Sequence, residues 1–211
     1  MVKAIIFDVW GTLVETGVKP SPSKQVKYFL RTRESFGDFI LEFEKSFMTK
    51  EFESLQEAFE QLVSDLDHKI PDFVYEKLIG MWNKNAILAK PYDEVDEVLK
   101  ALKDKGYKLF VLANIDKFSY EQLKTKLDFD VFDGVYSSYE TGLLKSDKES
   151  YEKILSDNSL SEDDVLMVGD SIVSDIKSAE NASISGLLID RRDTRDYGNK
   201  VKSLQELEES L

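Results

Sequence analysis

Apolar positions along the chain fall into two kinds of pattern. Ala4-Ile5-Ile6-Phe7 is a short continuous apolar run closed by Asp8, which predicts a strand buried on both faces. Further runs at 107–112, 165–168 and 187–189 read the same way, with a weaker one at 134–136. Between them, 93–105 has the charged, periodic pattern of a helix terminated by Gly106, and 172–182 predicts another helix just after Gly169-Asp170. Strands alternating with helices predict parallel βαβ units, hence an α/β, Rossmann-like core with a parallel sheet covered on both faces.

Residues 15–90 follow the second pattern. They hold eight of the 13 Phe and no strand run. Phe36, Phe39, Phe43 and Phe47 recur at helical spacing, as do Leu55, Phe59, Leu62 and Leu66. Turn-forming residues mark the edges: Gly17 and Pro20-Ser21-Pro22 at one end, Lys90-Pro91 at the other. The expected organisation is a core of 1–14 and 91–211 interrupted by an all-helical subdomain, 15–90. Phe36, Phe39, Phe43, Phe47, Trp82 and Tyr92 are expected to form the interior of that insert.

Composition narrows the chemistry. The 211 residues include no Cys and a single His, so a cysteine nucleophile, a disulfide framework and a thiolate zinc site are excluded. His68 has no nucleophile motif near it and reads as a surface residue. The formal charge of −13 argues against nucleic acid as a partner, because phosphate backbones need clustered cations. No apolar stretch approaches the roughly 20 residues that span a bilayer. The start Met1-Val2-Lys3 carries no cleavage-site pattern, so a cytoplasmic protein is expected. Carboxylates, lysine, hydroxyls and a hard cation remain as catalytic tools.

Four apolar runs end near Asp8, Asn114, Asp170 and Asp190. In open parallel sheets the carboxyl ends of the strands form the ligand crevice. Any one of these residues alone could simply shape a turn or cap a helix; together, at the edge where the insert is hinged, they predict a site. Asp8, Asp170 and Asp175 would crowd together there, and three carboxylates need a counter-charge. Mg²⁺ with oxygen ligands supplies one, and Lys145 a second. Asp175 could otherwise serve as a first-turn helix acid, and Lys145 as a surface lysine. Arg191, Arg192 and Arg195 follow the last run and are expected to face solvent, as is Glu94 on its helix.

Particular motifs sharpen this. Phe7-Asp8-Val9-Trp10-Gly11-Thr12-Leu13 resembles the first motif of the haloacid dehalogenase superfamily. Leu112-Ala113-Asn114 stands where the second is expected, and Gly142-Leu143-Leu144-Lys145, with Tyr151 beyond, resembles the third. Val168-Gly169-Asp170-Ser171, with Asp175, resembles the fourth, and Val201 to Leu207 suits the closing turn and helix. The motifs run through the chain in the family's order, and the insert stands where the family carries a helical cap.

The resemblance implies that Asp8 is the nucleophile, forming a covalent intermediate that water resolves. It implies that Thr12 hydrogen-bonds near Asp8 and that Lys145 orients it. Mg²⁺ would be held by Asp8, Asp170, Asp175 and the Trp10 carbonyl, with Trp10, Ala113 and Asn114 beside a small anionic substrate. Two positions depart from the phosphatase pattern. Trp10 replaces the acid that protonates a leaving alcohol, a loss worth ~10²–10⁴ in rate. Ala113 replaces a hydroxyl that binds phosphate, worth ~1.5–3 kcal/mol.

An aromatic at position 10 is similar to the 2-haloacid dehalogenase branch, whose halide leaving group needs no acid. That branch works without metal, has a serine-rich fourth motif and uses a cap arginine on the substrate carboxylate. Here Gly169-Asp170-Ser171 is kept, and only Arg31 and Arg33 are available in the insert. The leading expectation is a Mg²⁺-dependent phosphatase acting on a small phosphorylated metabolite. The alternatives are a 2-haloacid dehalogenase and a catalytically degenerate member with a binding role.

Overall fold

The computed structural model describes residues 2–211, so Met1 lies outside the described residues. The chain opens with β1 (Ala4–Phe7) and a two-residue β2 (Val14–Glu15). Four helices follow: α1 (Pro22–Leu30), α2 (Phe36–Phe47), α3 (Leu55–Asp65) and α4 (Asp72–Leu88). A short β3 (Lys90–Pro91) pairs antiparallel with β2, so the chain leaves and re-enters the sheet region through one narrow ribbon. Then come α5 (Val95–Asp104), β4 (Lys108–Ala113), α6 (Lys117–Leu123), β5 (Gly134–Ser137), α7 (Ser138–Thr141) and α8 (Lys148–Asn158). The chain closes with β6 (Val165–Gly169), a π-helical turn (Ile172–Lys177), α9 (Ser178–Asn181), β7 (Ser185–Ile189), β8 (Lys200–Val201) and α10 (Leu204–Ser210).

The main sheet has six parallel strands in the order β5-β4-β1-β6-β7-β8. Its central strands are unbroken apolar runs because each face meets a different core. Ile5, Phe7, Leu109, Val111, Leu166 and Val168 pack on the face covered by α5 and α10. Ala4, Ile6, Phe110, Leu112, Val165 and Met167 pack on the face covered by α8 and α9. Gly106, at φ +89°, stops α5, with its N–H on the Lys103 carbonyl. Among the described residues, no helix is long and apolar enough to cross a membrane.

The four helices between β2 and β3 enclose a separate apolar core. Phe39, Phe43 and Phe47 stack in a row on α2, with centroids 5.7 and 5.2 Å apart, and Trp82 closes on Phe47 at 4.9 Å. Phe36 sits at the exposed end of that row. Tyr92 departs from expectation: it packs on the sheet-side core, because it follows β3 and has already left the helical segment. Lys126, from the sheet side, donates to the carbonyls of Ala86, Ile87 and Ala89 at the end of α4, tying the two parts together.

Candidate active site

The crevice lies over the carboxyl ends of β4, β1 and β6, three adjacent strands. Asp8 continues the β1 ladder, its N–H donating to the Val168 carbonyl at 2.9 Å, and is 4% exposed. Its Oδ1 accepts from Lys145 Nζ at 2.6 Å and its Oδ2 from Thr12 Oγ1 at 3.2 Å. Burial pushes the Asp8 carboxyl up to about 7; Lys145 pulls it down, while Asp175 and Asp170 push it further up. Lys145 Nζ also donates to Asp175 Oδ1 at 2.5 Å. Burial opposes the charge on Lys145, but the Asp175 and Asp8 carboxylates hold its proton well above the ordinary lysine range.

The fourth-motif segment is not one continuous α-helix. The π turn swings Asp175 inward, with Asp175 N–H and Ile176 N–H both donating to the Ser171 carbonyl. Asp175 is fully buried; its Oδ2 accepts the Ser171 N–H at 2.8 Å while Oδ1 meets Lys145. It therefore caps the turn and carries site charge at once. Two glycines make room. A Cβ on Gly169 would stand 2.3 Å from Asp175 Oδ2, and one on Gly11, at φ +83°, 2.4 Å from Asp170 Oδ2. Carboxylate oxygens of Asp8, Asp170 and Asp175 all lie within 4.8 Å of one another. Burial, then the Asp175 charge, raises Asp170 to about 6. Three crowded carboxylate donors, with Asp8 and Asp170 both raised by burial and neighbouring charge, fit a hard divalent cation.

Asn114, just past β4, joins the sheet to the helical segment. Its Oδ1 accepts the Lys145 N–H at 2.8 Å and its Nδ2 donates to Glu44 Oε2 on α2 at 2.8 Å. Glu44, Asn114 and Trp10 line a cavity of about 170 Å³ between the two parts, together with Trp82 and Asp116. Asp116 caps α6, accepting the Ser119 N–H, and also accepts from Trp82 Nε1 at 3.0 Å. Ala113 brings nothing to this space: strand alternation turns its methyl into the sheet-side core.

Other expectations change. Arg191 does not face solvent. Its guanidinium stacks on Tyr92 at 3.4 Å, pairs with Glu94 at 2.6 Å and donates to the Thr12 carbonyl at 2.7 Å, bracing the loop after Asp8. Glu94 is accordingly taken into that pair; burial opposes its charge, but Arg191 holds its carboxyl below the usual range. Arg195 donates to the Asp170 carbonyl and lies 3.7 Å from its carboxylate. Asp190 stays outside the convergence, because its carboxylate accepts the Arg195 N–H and the Lys200 ammonium and so shapes its own loop. Arg31 and Arg33 are exposed; Arg31 lies on a groove with Lys24, Lys27, Lys69 and Lys77, and neither arginine lines the cavity that holds Glu44. His68 is half-buried, its Nδ1 on the Leu66 carbonyl.

Glu44 and Asp116 were not legible as site residues. One signal existed for Glu44: Ile40, Glu44 and Met48 form an i, i+4, i+8 row in which Glu44 is the polar interruption, and all three line the cavity.

A sequence profile described as hydrolase, haloacid dehalogenase-like hydrolase, matches residues 2–183. A glyceraldehyde 3-phosphate phosphatase of Methanocaldococcus jannaschii is 27% identical over 227 residues, covering 98% of this chain and 96% of that protein. The chain spans about half the length of other curated relatives it matches, at 27–31% identity. Among solved structures, a phosphatase from Thermococcus onnurineus superposes with a TM-score of 0.64 at 20% identity, covering 99% of this chain and 97% of that one. A dehalogenase with an intermediate complex superposes with a TM-score of 0.69 at 20% identity, covering 100% and 97%. At such identity these two likenesses concern the fold alone.

Proposed function

Since the chain belongs to the haloacid dehalogenase-like hydrolases, we propose that it is a Mg²⁺-dependent phosphatase of small phosphorylated metabolites, with Asp8 as nucleophile. We take residues 15–90 as its cap and a cytoplasmic setting as its place of action. The observation that carries this reading is the convergence of Asp8, Asp170 and Asp175 within 4.8 Å, braced by Lys145. The phosphatase relative that aligns along nearly the whole chain adds support.

The residues divide the work. Asp8 Oδ attacks phosphorus, the ester P–O bond breaks, and the electron pair leaves on the alcohol oxygen. Thr12 holds Asp8 Oδ2 while Lys145 pairs with Oδ1, so the carboxylate is fixed in one orientation. Lys145 keeps a fixed positive charge between Asp8 and Asp175 and helps hold the attacking group ionised. Water then cleaves the aspartyl phosphate and restores Asp8. Asp8, Asp170 and Asp175, with the Trp10 carbonyl, would hold Mg²⁺, which offsets repulsion between an anionic nucleophile and an anionic phosphoryl group.

Trp10 is the feature that favours the dehalogenase reading. Against it stands the cavity itself, where the helical segment presents the carboxyl of Glu44 and no guanidinium, so a 2-haloacid carboxylate would find no cation of that segment to pair with. The test is a phosphate-ester panel with Mg²⁺ or chelator, run beside Asp8→Asn, with chloride release from 2-chloropropionate as control. Mg²⁺-dependent phosphate release that vanishes in Asp8→Asn is expected. Chloride release in chelator, or phosphate release that survives Asp8→Asn, overturns the reading.

A further inference from the structure

An alkoxide leaving from phosphorus needs a proton, and the groups around Asp8 are poorly placed to give one. The Lys145 ammonium is held between Asp8 and Asp175, where both carboxylates retain its proton. Thr12 is turned to Asp8. The residue nearest in sequence on the cavity side, Trp10, carries an indole, which releases no proton near pH 7.

The cavity lining contains two carboxyl groups, Glu44 and Asp116. Asp116 is committed on both oxygens: Oδ1 accepts the Ser119 N–H at 3.0 Å and Oδ2 accepts Trp82 Nε1 at 3.0 Å. Glu44 is not. Among the described residues its carboxyl takes one side-chain hydrogen bond, from Asn114 Nδ2 onto Oε2. That same Asn114 accepts the Lys145 N–H on its other side, so Glu44 is registered to the nucleophile's lysine through a single residue. Its neighbours in the helical row, Ile40 and Met48, are apolar and line the same cavity.

We propose that Glu44, carried by the helical segment, is the proton donor to the leaving oxygen. The proposal rests on the phosphatase reading above. As the P–O bond breaks, the Glu44 carboxyl proton passes to the alcohol oxygen. The resulting carboxylate then takes a proton from the water that attacks the aspartyl phosphate, returning both groups to their starting state. Burial holds the Glu44 carboxyl above the ordinary glutamate range, against the pull of Lys145 and the Asn114 hydrogen bond, with Asp175 adding to the rise. The donor thus arrives with the helical segment, so an alcohol would be protonated only when that segment lies over the sheet.

The test uses the full chain with Mg²⁺ and two esters, 4-nitrophenyl phosphate, whose leaving group needs no proton, and glycerol 1-phosphate, whose leaving group does. Glu44→Gln keeps the shape and an oxygen for Asn114 but has no acidic proton. The kcat ratio of alkyl to aryl ester is expected to fall about 10²-fold or more in Glu44→Gln. Asn114→Ala, which loosens Glu44 and Lys145 without deleting an acid, is expected to slow both esters together. If Glu44→Gln slows both esters equally, Glu44 is structural and the proposal falls while the phosphatase reading stands. If neither ester turns over in the wild type, or turnover survives Asp8→Asn, both fall. Should Glu44→Gln not fold, Glu44→Asp supplies the same readout: it keeps the acid on a shorter arm, and an unchanged alkyl-to-aryl ratio after retraction by one methylene overturns the assignment.

Discussion

The most quantitative consequence of the site concerns pH and Mg²⁺. Asp8 stands at about 7 and Asp170 at about 6 without metal, against 3.8 for an ordinary aspartate. A cation binds the ionised forms, so binding must expel whatever protons these groups carry. At pH 5.5 a group at 7 is ionised in about one molecule in 30, and a group at 6 in about one in four. At pH 8 both are essentially ionised. Apparent Mg²⁺ affinity should therefore weaken about 10²-fold from pH 8 to pH 5.5, some 2.8 kcal/mol. Ordinary carboxylates would change it by less than about 10% over the same range. Titration calorimetry in two buffers of different ionisation enthalpy counts the protons, with one to two expected per Mg²⁺ at pH 5.5 and almost none at pH 8. The metal-free protein should show the opposite trend. Groups raised in the folded state stabilise it below their unfolded pKa and lose that contribution as pH rises through 6 and 7. An affinity that moves less than about threefold across the range would refute the picture of crowded, desolvated carboxylates.

Three further outcomes follow from particular contacts. Gly169→Ala places a Cβ 2.3 Å from Asp175 Oδ2 in a fully buried spot, so overpacking should cost ~1–3 kcal/mol in urea unfolding and Mg²⁺ affinity should drop at least about tenfold. Lys145→Met strands Asp8 and Asp175 without their shared cation; unfolding at pH 8 should show a loss of ~3–5 kcal/mol that shrinks toward pH 5.5, where protonation relieves the repulsion. Arg191→Lys should not rescue Arg191→Ala, because stacking on Tyr92 and the planar reach to Glu94 and Thr12 both need a guanidinium; thermal unfolding of the pair should agree within about 0.5 kcal/mol.

Much of this site was legible in the chain because its parts obey local rules. Asp8, Asn114 and Asp170 each follow an apolar run, and a parallel sheet gathers such ends at one edge. Gly169 beside Asp170 and Gly11 beside Trp10 mark close approaches that the structure locates against Asp175 and Asp170. What escaped was contact across distance. Glu44 is one of three acids on α2, and its meeting with Asn114 spans 70 positions. Arg191 and Glu94 look like solvated residues until the fold closes a gap of 97 positions between them. Periodicity also missed the π turn, since one extra residue per turn leaves the polar pattern of 172–182 nearly unchanged while rotating Asp175 into the interior. Asp190 misled for the opposite reason: it obeys the strand-end rule, yet a local Arg195–Lys200 loop consumes it.

Everything proposed for this site turns on Asp8 forming the covalent bond to phosphorus. Acid quenching of a ³²P-labelled phosphate ester within the first turnover, followed by peptide mapping, tests it directly. Label is expected on the peptide containing Asp8, requiring Mg²⁺ and absent in Asp8→Asn. Steady Mg²⁺-dependent phosphate release by Asp8→Asn, with no label on that peptide in the wild type, would contradict it.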